Sequence, residues 1–410
     1  MVSEMADPQN DFEEAEIQAW FDEEEPEVDR STFPSDSAQT IAEKYARSQL
    51  RVVRETKDYT LDYLRHALRP GQELINVSPS YQRRLRWTRK KRSLLIESFL
   101  LNIPIPAIFL FESDYNEYEV IDGRQRLDAI REFLANNYAL IGLEFWQELN
   151  GQRFNDLPSV LQRGLLRRSL SAVVLLAETR KAEEDDIDVR TVLFDRLNTG
   201  GEKLNPQELR NALYSGPFNS MLIRLARSTP FTTAWNIPPY QPNEEEEISL
   251  ELANNTLYRT MADAELVLRF FAIRDAIQNN KRGSLRRILD RHMKEHAFDT
   301  PSQVEILEKE YLKLLESLVR AFDNKPFWLP NSSRPSRPLY DALMVALSTR
   351  PEVDLVKDKP AIKARLDHAL SNSSQYDILV GRGNTMDAIH DRVELAAAIL
   401  TGRTADDRGA

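Results

Sequence analysis

The sequence predicts an α+β protein, with a small mixed α/β lobe up to about residue 215 and an all-helical lobe after it. Three observations carry this. Short apolar runs of strand length, such as Ile108-Phe109-Leu110-Phe111 and Tyr118-Glu119-Val120-Ile121, occur only in the first half. From about residue 250 to 399 only helical periodicity is seen. No internal repeat is apparent, and 410 residues suffice for two or three domains.

Residues 1–36 combine acidic runs with Pro8, Pro26 and Pro34, the composition of a disordered tail. Phe12, Ile17, Trp20 and Phe21 stand among those carboxylates, so an alternative is a short amphipathic element that docks on a partner or on the protein's own basic face. Residues 37–68 read as helical, and 73–77 as a strand. Thr88 is placed to cap a helix running to Leu101, with Leu94, Leu95, Ser98 and Phe99 on one face. Ile103-Pro104-Ile105-Pro106 is extended, since each proline disfavours helix in the residue before it. Strands follow at 107–111, 118–121 and 170–176. A helix over 185–197 stops at Asn198-Thr199-Gly200-Gly201, and Asn205-Pro206 starts the next. The expected boundaries are 1–36 for the tail, 37–215 for the α/β domain, 216–401 for the helical domain and 402–410 for a flexible C-terminus.

The net charge of −11 is unevenly spread. Residues 1–36 hold 13 Asp or Glu and one Arg, which leaves 53 Lys or Arg against 52 Asp or Glu in residues 37–410. The body is therefore almost neutral, and the acidic balance says nothing against a nucleic-acid partner. The tail could lie over a basic segment, so its deletion is expected to tighten DNA binding at low salt. Cysteine is absent, which removes disulfides, thiolate nucleophiles and cysteine zinc sites and fits a reducing cytoplasm. There is no apolar run of membrane-spanning length and no basic-then-apolar leader, so neither membrane insertion nor secretion is expected.

The most informative stretch is Asp122-Gly123-Arg124-Gln125-Arg126. A strand ends, the chain turns, and a helix opens with two guanidinium groups on its first turn. The unpaired N–H groups and positive dipole end of that helix make it suited to phosphate. Asp122 either orders the turn, binds Mg²⁺ against the phosphate or positions a water. In the competing reading, Asp122, Gln125 and Arg126 lock the strand–helix junction through buried hydrogen bonds.

A second cluster is basic. Arg83, Arg84, Arg86, Arg89, Lys90, Lys91 and Arg92 place seven cations in ten residues, with Trp87 among them and Tyr81 just ahead. Such a segment can track a phosphate backbone, or be a solvated basic helix start. A third pattern, His292-Met293-Lys294-Glu295-His296, matches the inverted zinc-peptidase motif. Its flanks Arg286, Arg287, Arg291 and Lys294 disfavour a dication, so a surface helix is expected there.

Together the order Tyr81-Gln82-Arg83, Trp87, apolar helix, Ile-Pro-Ile-Pro, two strands and Asp-Gly-x-Gln-Arg, then Phe194-Asp195-Arg196-Leu197-Asn198 and Glu208-Leu209-Arg210-Asn211-Ala212, resembles the N-terminal domain of GmrSD-type modification-dependent restriction enzymes. The likeness covers residues 75–215, and Gly381-Arg382-Gly383-Asn384-Thr385 is similar to the tail of single-domain members. The resemblance implies a ParB/sulfiredoxin-like fold that binds and hydrolyses a nucleoside triphosphate with Mg²⁺, and that senses modified DNA or regulates a nuclease. It implies Asp122, Gln125 and Arg126 as catalytic and Asp122 as the metal ligand. Tyr81, Gln82, Arg83, Gly123, Arg124, Arg196 and Asn198 would hold the nucleotide, and Arg84, Arg86, Arg89, Lys90, Lys91 and Arg92 the DNA. Position 124 departs from the usual Gln, which puts nucleotide preference in question. The His-Asn-His nuclease half has no counterpart among His66, His292, His296, His368 and His390.

The expectation is therefore a nucleotide-dependent, DNA-sensing module of a bacterial restriction or anti-phage system. Its partners would be DNA, modified or not, and a separately encoded nuclease or defence protein, with a homo-oligomer left open. The alternatives are a non-enzymatic DNA-binding adaptor and, ranked lower, an autonomous DNA nuclease.

Overall fold

The structure, a computed structural model, describes residues 11–24, 54–69, 71, 74–77, 87–114, 116–176, 205–214, 216–242, 244, 248–330, 332–355, 357–381 and 383–402. The chain forms two compact units, Arg30–Leu204 and a second that joins Met1–Asp29 to Asn205–Ala410. Helix α1 (Glu14–Asp22) belongs to the second unit.

The first unit is built on a five-stranded mixed sheet. Its strands are β1 (Arg54–Thr60), β2 (Ile75–Asn76), β3 (Ile108–Asp114), β4 (Glu117–Asp122) and β5 (Ser169–Leu175), in the order β1-β5-β3-β4-β2. β3 pairs antiparallel with β4 and parallel with β5, while β1 runs antiparallel to β5 along one edge. Helices α2 (Leu61–Ala67), α3 (Arg89–Leu100), α4 (Arg124–Leu134) and α5 (Ser159–Leu166) complete the unit. Ile108 and Leu110 of β3, Leu170, Ala172 and Val174 of β5, Ile96 and Phe99 of α3, and Leu127, Ile130 and Phe133 of α4 share one buried core. The apolar positions of α4 recur at spacings of three and four, so one face of the helix is buried against the sheet.

β1 corrects the sequence reading, which took residues 37–68 as helical. The strand exposes most of its side chains and buries only Tyr59. An edge strand of this kind shows no apolar alternation, so the signal used to find strands is missing. The start of α3 is as its cap foretells, with Thr88 accepting the N–H of Lys91; at α2, Thr60 accepts the N–H of Tyr63.

A loop over residues 141–146 is held to one face of α3. The Ser93 hydroxyl accepts the Ile141 N–H at 3.0 Å. The Glu97 carboxylate accepts the N–H groups of Glu144, Phe145 and Trp146 at 2.8–3.2 Å.

The second unit is helical among the described residues. After α1 come α6 (Pro206–Leu213), α7 (Pro217–Ala226), α8 (Thr229–Trp235), α9 (Leu250–Asn254), α10 (Thr256–Arg259), α11 (Ala262–Gln278), α12 (Leu285–Glu295), α13 (Pro301–Ala321), α14 (Arg337–Ser348), α15 (Lys359–Ser371), α16 (Ser373–Val380) and α17 (Met386–Thr401). Asn205 and Glu208 form a capping box around Pro206, as the start signal predicted. α11 and α14 are buried on almost every face and are tied together by a fully buried Arg269–Asp341 ion pair.

Residues 11–24 differ from the expected disordered tail and realise the alternative, an amphipathic element docked on the protein itself. Phe12, Ile17 and Phe21 are buried in the helical core. The carboxylates pair with cations of that unit: Glu14 with Arg259 (3.0 Å), Glu16 with Arg334 (2.5 Å), Glu23 with Arg337 (2.6 Å) and Glu24 with Arg210 (2.6 Å). Asp11 accepts the first-turn N–H of Thr256 at 3.0 Å. Composition scored these residues as solvated because their cationic partners lie hundreds of positions away.

Candidate functional site: the Asp122–Gly123 turn

β4 ends at Asp122, Gly123 turns at φ +94°, and α4 begins at Arg124. A Cβ on Gly123 would lie 2.2 Å from Ile108 Cγ2, inside the sheet core, so glycine is required by both space and conformation. Neither a side-chain cap nor an acidic residue is found at the start of α4. Its first turn instead carries Arg124 and Arg126, cations at the positive end of the helix dipole, where anions are favoured.

Arg126 is compensated from within. It donates to Asp122 Oδ2 at 2.6 Å, to the Ala107 carbonyl at 3.3 Å and to the Pro106 carbonyl. The guanidinium thus ties the extended Ile-Pro-Ile-Pro segment to the turn. Asp122 keeps 29 % of its side chain exposed and Arg126 12 %. Arg124 is half-buried.

Gln125 faces the chain that leads into α3. Its Oε1 accepts the Trp87 N–H at 3.1 Å. The Trp87 carbonyl accepts from Arg92 Nε at 3.1 Å, and Arg92 Nη2 reaches Asp128 Oδ2 on α4 at 3.0 Å. Asp128 also receives Arg131 at 2.7 Å.

The seven-cation cluster divides accordingly. Arg89, Lys90 and Lys91 are exposed, with Lys91 Nζ 4.9 Å from the Trp87 ring centroid. Arg92, expected on a DNA-facing surface, is turned inward and donates to the Trp87 carbonyl and to Asp128. Tyr81, Gln82, Arg83, Arg84, Arg86, Arg196 and Asn198 lie outside the described residues. Asp128 was not singled out from sequence, although its place two residues after Arg126 on the same helix put it within reach of α3.

The remaining motifs are structural. In Glu208-Leu209-Arg210-Asn211, Glu208 completes the α6 cap, and Arg210 is buried against Glu24, Glu265 and Asp290. In the His292–His296 pattern, the ligand atoms of Asp275, His292 and Glu295 lie within 4.8 Å of one another. Lys281 Nζ already bridges Asp275 and Glu295, 2.7 Å from each, so an ammonium supplies the cation. His296 is held by Asp299 at 2.6 Å.

A strand–glycine–helix junction with a cationic first turn is carried by a mixed sheet in the same unit as a basic helix start. Residues 67–215 match the family described as GmrSD restriction endonuclease, N-terminal domain. That part of the chain is a GmrSD-type N-terminal domain, from a family of restriction systems. No curated protein and no solved structure matches the chain. The match runs past the first compact unit into α6, the helix that carries Glu208 and Arg210. No helix among the described residues is long and apolar enough to cross a membrane.

Proposed function

We propose that the chain is a nucleotide-dependent, DNA-sensing module of a restriction or anti-phage defence system that works with a separate nuclease. One observation carries the reading: the Asp122–Gly123–Arg124 turn, where a glycine that tolerates no side chain brings backbone, a helix N-terminus and arginines together. The match of residues 67–215 to a restriction-enzyme domain supports it.

In this reading a triphosphate sits over the N–H groups of the first turn of α4, with Arg124 as its cationic contact. Tyr81, Gln82, Arg83, Arg196 and Asn198 are further nucleotide contacts proposed from the resemblance. Arg126 anchors the turn and orients Asp122. Mg²⁺ fits this donor set as an ion held by one partly exposed carboxylate and by the phosphates themselves. When bound it supplies charge neutralisation to the phosphoryl oxygens. Arg89, Lys90 and Lys91 are the described cations offered to a DNA backbone.

The test is a screen of the common nucleoside triphosphates with Mg²⁺, with and without modified and unmodified DNA. Binding and hydrolysis that vanish in folded Asp122→Asn and Arg124→Ala variants are expected. Purified protein that neither binds nor hydrolyses any triphosphate sinks the nucleotide reading.

A second reading is favoured by one observation. Arg126 donates to Asp122, Pro106 and Ala107, all groups of the protein itself, as a purely structural lock would. The chain would then be a non-enzymatic DNA-binding adaptor. Its signature is DNA affinity with a steep salt dependence that flattens when Arg89, Lys90 and Lys91 are neutralised.

A further inference from the structure

Asp128 and Gln125 lie three residues apart on α4, and both bear on Trp87, Gln125 directly and Asp128 through Arg92. Gln125 Oε1 takes the N–H of Trp87 at 3.1 Å. On the other side of that residue, Arg92 Nε donates to the Trp87 carbonyl at 3.1 Å, and Asp128 Oδ2 holds Arg92 Nη2 at 3.0 Å. Trp87 is thus gripped at both its donor and its acceptor by groups that answer to α4. Its ring is also covered by the Lys91 ammonium.

Backbone hydrogen bonds of this kind are made elsewhere by secondary structure. Trp87 precedes α3 and lies in no helix or strand, so its amide and carbonyl depend on side chains instead. Arg92 has only 12 % of its side chain exposed and Asp128 18 %, so their ion pair is shielded from water and salt. Arg131 on the other Asp128 oxygen, at 2.7 Å, fixes the carboxylate's orientation. These partners make a closed circuit, Gln125–Trp87–Arg92–Asp128, whose two ends are set by the rigid rise of one helix.

We propose that Gln125 and Asp128 are positioning residues: they clamp Trp87, and with it the start of α3, to the helix that opens at the Gly123 turn. Gln125 then owes its place in the Asp-Gly-x-Gln-Arg motif to the Trp87 amide and not to contact with the reacting atoms. Asp128 extends that motif by two residues, as the group that keeps Arg92 turned inward. The inference rests on the nucleotide reading of the turn for its functional consequence, while the clamp itself stands on the contacts above.

The test uses the full chain carrying Asp128→Asn, Asp128→Glu or Gln125→Ala, with two readouts. Hydrogen–deuterium exchange at the Trp87 amide reads the clamp directly: protection is expected in the wild type and is lost in Gln125→Ala and Asp128→Asn. Triphosphate affinity reads its consequence: Kd or KM rises about tenfold in Asp128→Asn, the scale of one hydrogen bond to a charged group, with kcat within roughly twofold. Partial recovery in Asp128→Glu is expected, because charge is restored at a longer reach. Unaltered Trp87 exchange in Gln125→Ala and Asp128→Asn overturns the clamp. So does a folded Asp128→Asn with wild-type nucleotide affinity. Wild-type protein that binds no triphosphate overturns the nucleotide reading and the functional role of the clamp together, and the exchange data then show which contacts remain.

Discussion

Arg126 reaches back across the Gly123 turn and donates to the carboxylate of Asp122 at 2.6 Å. A cation on the first turn of a helix opposes the dipole at a cost of about 0.3–1 kcal/mol. Asp122 offsets that cost, and the carbonyls of Pro106 and Ala107 also accept from the guanidinium. The pair therefore builds the junction from groups of the protein itself. Arg126→Ala is expected to lower unfolding free energy by about 1.5–3 kcal/mol, the range for hydrogen bonds to charged groups. Arg126→Lys should recover only part of it, because a point charge cannot serve three acceptors as a planar fork does. Denaturant titration of the three proteins reads the order directly, and equal stability of all three would contradict it.

The turn residue itself offers the sharper test. Gly123→Ala must place a Cβ 2.2 Å from Ile108 Cγ2 at a backbone φ of +94°. Ile108 is fully buried in β3 and has nowhere to move. Left-handed backbone costs about 1–2 kcal/mol and core overpacking about 1–3, so a loss of about 2–5 kcal/mol is expected. Gly151→Ala is the control: it shares a positive φ but meets nothing within 4 Å. Similar losses at both positions would mean that conformation alone, without the close approach, sets the cost.

Much of this was legible in the sequence because the signals were local. Thr88, Asn205 and Pro206 announce helix starts through their own side chains, and β3, β4 and β5 each carry a short apolar run that feeds the core. The Asp122–Gly123 turn could be placed by its glycine. What sequence missed depends on partners distant in the chain. β1 looks polar because it is an edge, and Arg92 looks like a surface cation until Asp128, 36 positions on, is brought beside it. Residues 11–24 looked solvated because Arg210, Arg259, Arg334 and Arg337 could not be assigned to them by composition.

That last difference predicts what truncation does. Phe21 is buried in the helical core, and Glu24 faces Arg210 with both side chains almost fully buried. Phe21→Ala is expected to cost about 3–5 kcal/mol. Removing residues 1–24 should do more, since Arg210 would keep Glu265 and Asp290 but lose its shortest partner. Thermal unfolding of the full chain against the truncated one measures this. An unchanged melting temperature would show that α1 is an ornament of the helical unit and not part of it.

Glu97 gives a stability dependence in acid. Burial pushes its carboxyl up, but the N–H groups of Trp146, Glu144 and Phe145 more than reverse this, and it lies below its ordinary value of 4.5. The folded state therefore binds this proton less readily than the unfolded chain. The stability it contributes is present above about pH 4.5 and is lost as pH falls through the folded value. Glu97→Gln should abolish that part of the acid slope and cost about 1.5–3 kcal/mol at neutral pH, because the loop amides lose a charged acceptor. If the variant keeps the wild-type slope below pH 4.5, other carboxylates set it.

His292 should act in a separate window. Burial lowers its pKa first, the Asp275 carboxylate pulls it back up, and His296 lowers it again, so it ends below its ordinary value of 6.5. Lys281 adds to the lowering, and Phe218 packs edge-on at 5.5 Å with no charge to offer. The unfolded imidazole thus takes a proton at a pH where the folded one stays neutral. By linkage, stability is present above about pH 6.5 and is lost as pH falls through the folded value. His292→Gln removes the titrating group, so its stability should be flatter than wild type as pH falls below about 6.5, while the Glu97 slope below pH 4.5 persists. A reversed slope, with wild type gaining stability as pH falls, would show that Asp275 dominates and that His292 is protonated in the fold. The same measurement then decides between a neutral core histidine and a buried ion pair.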